Sequence, residues 1–229
     1  MNKERKLAIE KVADRVKEQC QVGDYGFQDI FKAAEKIGYR IIRYPLGEDA
    51  FLGFALIKNS ERIVLSNSSV ILSREIFSIA HEIGHQILHL SEQGLTIIKD
   101  DDFSEKDVNE VEANYFAACL LMPLEKVEKF IRFELNDKDI DDWTGFDIAR
   151  IQTAFNVSFD MVLNRLEALG ILNSTLKDKL KLEKAVSRWL KAINGNIELC
   201  EPANAKKVPA EYLEWVISNY NEKLIPLKS

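Results

Sequence analysis

His81, Glu82 and His85 stand in the run "AHEIGHQILH", and His89 is the third and last histidine of the chain. On a helix, positions i and i+4 project from one face, so two imidazoles can grip one Zn²⁺ through ring nitrogens at roughly 2.0 Å. Glu82, one residue on from His81, falls to the side of that pair. There a carboxylate can take the proton of a water whose pKa the metal lowers to about 7. HExxH on a helix is thus a pattern for metal-assisted hydrolysis, with His81 and His85 as ligands and Glu82 as general base. A buried amphipathic helix with incidental histidines is the plainer alternative. Confinement of every histidine to this one segment favours the metal.

Geometry removes His89 as a third ligand. Eight helical residues separate it from His81, about 12 Å at 1.5 Å per residue, too far for both to reach one ion. Its expected role is to orient a ligand or to line the cleft. Leu88 stands where a metzincin needs glycine, and no later histidine follows. A carboxylate must therefore complete the set, and "EVEANYFAACLLMP" offers two. Glu112 has Val108, Tyr115, Phe116 and Cys119 on its face, an apolar stripe in which a bare carboxylate is costly. Glu110 shares its face with Lys106, Asp107 and Asn114 and reads as solvated. The expected set is His81, His85 and Glu112, with a fourth position open to water. Cys119, about 10 Å further along the helix, reads as a core thiol. Tyr115 or His89 is a candidate hydrogen-bond donor to a developing oxyanion, and helical phase does not choose between them.

Several elements must hold these residues. Helical spacing covers the first 22 residues and "FQDIFKAAEKIG". "YRIIRY", "FLGFALIK" and "RIVLS" then read as three short strands, the last two joined by a tight turn. The HExxH helix runs from Ser73 to Leu90, and "SEQGLTIIKDDDF" interrupts it. Ser104 and Asp107 form an expected capping box for the glutamate-bearing helix, which ends near Met122, with Pro123 in the first turn of the next. Residues 136–146 read as a polar linker. "DIARIQTAFNVSFDMVLNRLEALG" follows as two short helices around an "NVS" turn. A long amphipathic helix over about 174–193 and a last helix, with Trp189 and Trp215 as core aromatics, finish the chain.

Composition bounds the function classes. The chain has 229 residues, 46% apolar and 30% charged, a globular balance. A net charge of −6 argues against a general polyanion-binding surface. The two short helices resemble a helix-turn-helix, yet residues 158–168 present only Arg165 and Asn164 beside Asp160 and Glu167. A packing or partner-docking element is expected there, with no direct nucleic-acid contact. The charged first 20 residues lack a secretory apolar core, no run is long enough to span a membrane, and three scattered cysteines without CxxC make no disulfide framework. A cytoplasmic protein is expected.

"IVLSNSSVILSREIFSIAHEIGHQILH" followed by "EVEANYFAACLLMP" resembles the ImmA/IrrE metallopeptidases across roughly residues 27–124, with looser similarity through "FNVSFDMVLNRLEALG". The resemblance implies that His81, His85 and the glutamate of "EAN", Glu112, bind zinc and that Glu82 is the base. Cys119 departs from the glutamate common at its position. The resemblance also implies a substrate, a helix-turn-helix repressor of a mobile element, stress response or toxin–antitoxin-like module. The expected architecture is α+β: a small, mostly antiparallel three-stranded sheet packed with zincin-like HExxH helices, then a helical C-terminal part. The expected division is a peptidase domain (1–135), a helix-turn-helix-like segment (136–170) and a helical extension (171–229). The rival reading is a non-proteolytic protein that sequesters a repressor or toxin and uses zinc structurally. Three protein ligands rather than four, and an intact Glu82, favour chemistry.

Overall fold

A computed structural model of the chain describes residues 1–20, 22–58, 60–90, 96–99 and 107–212. Ser104, Trp215 and the expected last helix lie outside them.

Helix α1 (Lys3–Gln19) is capped by the Asn2 side chain and buries Ile9, Ala13 and Val16, a stripe at helical spacing. Helix α2 (Ile30–Lys36) is capped by Asp29. Gly38, at φ 95°, then turns the chain into the sheet in a conformation that costs only glycine little. Strands β1 (Tyr39–Tyr44), β2 (Gly53–Lys58) and β3 (Glu61–Asn67) are the three expected runs. A fourth, β4 (Thr96–Lys99), lies within the stretch expected as an interruption; it pairs with the outer edge of β2 and satisfies backbone groups there. The order is β1-β3-β2-β4, with β1 parallel to β3 and the other pairs antiparallel. The α+β class and the mostly antiparallel sheet stand, with one strand more than expected.

Helix α3 (Leu72–Leu88) packs on β2 and β3 and against α4 (Val108–Leu121). The first N–H of α3, on Leu72, donates to the carbonyl of Glu201 at 2.9 Å. Asp107 caps α4, and Pro123 is the cap residue of α5 (Leu124–Glu134), one place before its expected position. Helices α6 (Gly145–Phe155) and α7 (Phe159–Ala168) flank Asn156, which takes the left-handed conformation. Trp143, inside the stretch read as linker, is fully buried, and among the described residues one apolar cluster reaches from Ile9 to Leu199, beside a smaller one of Ala55, Ile57 and Leu90.

The expected long helix over 174–193 is corrected. Two helices occupy it, α8 (Ser174–Leu182) and α9 (Val186–Ala192). Leu176 and Leu180 are buried on the first and Leu190 on the second, while Leu182 is 90% exposed. Leu176, Leu180, Val186 and Leu190 fall within about 120° of helical arc, so their spacing alone fits one helix and the break is imposed by contacts from outside the segment. The break is held by Glu183, whose carboxylate accepts from Gly145 N at 2.7 Å and whose carbonyl accepts from Trp189 Nε1 at 3.0 Å.

Candidate metal centre

Close approach of α3 and α4 creates the site. A Cβ on Gly84, the glycine inside HEIGH, would stand 2.9 Å from Phe116 Cδ1 and 3.3 Å from Ala113 Cα. Gly84 therefore lets α4 settle onto α3 with its polar i, i+4 pair, Glu110 and Asn114, facing His81 and His85.

The imidazole Nε2 atoms of His81 and His85 lie 2.8 Å apart. Glu110 spans them, with Oε2 at 3.2 Å from His81 Nε2 and Oε1 at 3.0 Å from His85 Nε2. One ligand atom from each residue falls within a 4.8 Å group, and all three residues are buried. Glu112, the carboxylate expected in this place, stands elsewhere. Its carboxylate points to α1, where Arg5 Nε and Nη2 donate to Oε1 and Oε2 at 2.7 and 2.5 Å. The Arg5 guanidinium holds the Glu112 carboxyl well below the usual range, at about 2; burial opposes this, and His89 assists it. Of the apolar stripe around Glu112, Phe116 and Cys119 are buried and Tyr115 is half-buried, whereas Val108 is exposed, and the carboxylate itself meets the Arg5 guanidinium.

The far ring nitrogens fit a cation-binding state. Asn114 Oδ1 stands 3.0 Å from His81 Nδ1, His89 Nδ1 stands 3.1 Å from His85 Nδ1, and His89 Nε2 stands 3.1 Å from Glu112 Oε2. An imidazole that ligates through Nε2 keeps its proton on Nδ1. His81 then donates to Asn114 and His85 to His89, whose own proton sits on Nε2 and is donated to Glu112. Every donor meets an acceptor, and the line ends on a carboxylate clamped by Arg5. The donor set of two imidazoles and one carboxylate, with both Nε2 lone pairs directed inward, suits a divalent transition metal.

Glu82 is buried on α3 with its carboxylate against β2: a Cβ on Gly53 would stand 3.3 Å from Glu82 Oε1 and 2.8 Å from the Leu65 carbonyl. Tyr115 donates its hydroxyl to Glu10 of α1, and burial, with that bond assisting, pushes its pKa up. Cys119 is a buried thiol whose pKa burial raises. Arg165, the cation of the second of the helix-turn-helix-like helices, is buried and donates from Nε to the carbonyl of Met122 at 2.9 Å, satisfying the end of α4.

Sequence reasoning missed Glu110, Asn114 and Arg5. A signal for the first two was present: Glu110 and Asn114 repeat on α4 the i, i+4 spacing of His81 and His85 on α3. Nothing local marked Arg5, 107 residues from its partner.

A family profile described as the IrrE N-terminal-like domain, Peptidase_M78, matches residues 34–167. The chain belongs to this family. As a member of Peptidase_M78 it is also 28% identical, over 122 residues, to "Uncharacterized immunity region protein 2" of Bacillus phage phi105, a match covering 53% of this chain and 76% of the phage protein. Helix α1, which supplies Arg5 and Glu10, precedes the matched residues. Among the described residues no helix is long and apolar enough to cross a membrane.

Proposed function

We propose that this M78 protein is a zinc endopeptidase that cuts a helix-turn-helix repressor. The observation that carries the proposal is the convergence of His81, His85 and Glu110 on one point with both Nε2 atoms directed inward. Zinc held there supplies Lewis-acid polarisation of the scissile carbonyl and acidifies water. Glu82 accepts the proton of the attacking water and returns it to the leaving amine. Its burial beside Gly53 keeps bulk water from competing for that carboxylate. Asn114 and the His89–Glu112–Arg5 line fix the ligand rings, so that Glu112 and His89 act through the ligands rather than on the metal. Residues 136–170 serve as a packing and docking element.

The repressor as substrate is supported by the family and by the phage relative, whose name places that protein in an immunity region. The test is co-expression of the wild type, and separately of Glu82→Gln, with a helix-turn-helix protein encoded beside the chain, following that protein's mass. A fragment with the wild type alone is expected. An intact partner that co-purifies with both forms would replace the peptidase with a sequestering protein.

A further inference from the structure

A groove of about 720 Å³ runs between α3, α4 and α7 beside the metal cluster. Its size falls in the range of ligand-holding clefts. Phe77, Ala118 and Met161 contribute apolar walls, and Asn114, which holds His81, lines it too. Phe77 is one helical turn before His81, with ring centroids 6.4 Å apart, and Asn114 is one turn after Glu110. The groove therefore continues the seam between α3 and α4 that contains the metal ligands.

Its rim is cationic in a chain of net charge −6. Lys6 and Arg74 are exposed along it, the Lys6 ammonium lying 5.5 Å from the Tyr115 ring centre. Asp160, the one acid lining the groove among the described residues, is ion-paired with Lys184. An apolar trough with two rim cations complements an apolar side chain that has an acidic neighbour.

We propose that this groove is the specificity subsite of the peptidase, receiving an apolar residue of the substrate polypeptide flanked by Asp or Glu. The inference rests on the peptidase reading. A helical turn spans about 5.4 Å and an extended chain advances about 3.3 Å per residue, so the bound residue lies within about three positions of the scissile bond.

The test uses the full chain carrying Glu82→Gln, loaded with zinc, and fluorescein-labelled decapeptides whose central pair is Leu-Asp, Leu-Lys or Ser-Asp, read by anisotropy. The Leu-Asp peptide is expected to bind about fivefold tighter than Leu-Lys and about tenfold tighter than Ser-Asp. Arg74→Glu, an exposed site with no folding risk from packing, should reverse the Asp-over-Lys preference. Ala118→Trp should fill the trough and remove the dependence on Leu. Equal affinities for the three peptides, or a charge preference untouched by Arg74→Glu, overturn the proposal. A wild-type dimer in sedimentation that Ala118→Trp dissolves would also overturn it, assigning the groove to a second copy. The two readings fail separately: hydrolysis of all three peptides alike by wild type sinks the subsite and keeps the peptidase. The Leu-Asp preference without any hydrolysis of peptide or repressor keeps the groove and sinks the peptidase.

Discussion

Glu110 and Glu112 have different neighbours because a helix turns about 100° per residue, which points their side chains about 200° apart. Glu110 meets two imidazoles of α3, whereas Glu112 meets the Arg5 guanidinium of α1 and His89. Chelator-competition titration separates the two. Glu110→Ala is expected to lose stoichiometric zinc. Glu112→Gln should keep it, with affinity lowered about 10–100-fold through loss of ring orientation. The opposite ranking would return Glu112 to coordination. His81, Glu82 and His85 were legible because their spacing is local. Glu110 was not, because a polar helix face looks the same whether it meets water or another helix's ligands.

At the scale of the element, the spacing of α3 and α4 decides whether Glu110 reaches the histidines. Gly84→Val places two methyls where Phe116 and Ala113 already lie. Such overpacking should cost about 1–3 kcal/mol and push Glu110 outward. Urea unfolding and zinc titration on the same sample check this; a destabilised variant with unchanged zinc affinity would show that Gly84 does not set the site. Helix α6 offers a pH test. Burial alone would raise the Asp147 pKa, but its hydrogen bonds with Lys138 and Thr144 prevail and lower it below the ordinary 3.8. A lowered folded value means the contribution is full above pH 3.8 and fades as pH falls through the folded value. Asp147→Ala removes the capping box and should cost about 1–2 kcal/mol at neutral pH. In a pH series of unfolding curves the gap to wild type should narrow in acid, and a gap constant down to pH 2 would contradict the assignment. The α8–α9 break shows the limit of periodicity. The individual helical turns were readable and their apolar positions fit one face, but the break rests on Glu183 binding Gly145, 38 residues away, and Trp189, which no local spacing announces.

Across the whole molecule, separate parts of the chain converge on the start of α3. Arg43 of β1 donates to both oxygens of the fully buried Glu75 at 2.8 and 2.7 Å, Ser66 of β3 adds a third bond, and the Arg43 guanidinium lies 3.7 Å from the centre of the Phe31 ring on α2. From the C-terminal side, Lys207 pairs with the backbone of Arg43, and Asn204 N donates to the Ser68 carbonyl. Glu75→Ala would strand the guanidinium in a largely buried place, an expected loss of about 3–5 kcal/mol in urea unfolding. A loss under about 1 kcal/mol would mean the pair behaves as a solvated surface bridge. Phe31, Arg43, the Ser66–Glu75 stretch and the Asn204–Lys207 stretch are separate parts of the sequence, and no local pattern announced the cluster.

The sequence by itself determined the HExxH helix, the three strand-forming runs, the paired short helices and the family resemblance. Each is written in residue types at fixed local spacing, where helical and strand periodicity act directly. Only the tertiary structure decided that Glu110 joins the histidines, that Arg5 clamps Glu112, and that Arg165 is buried under the end of α4. Those choices depend on which helix faces which, and that is set by long-range close packing, such as Gly84 against Phe116, rather than by the neighbours of any one residue.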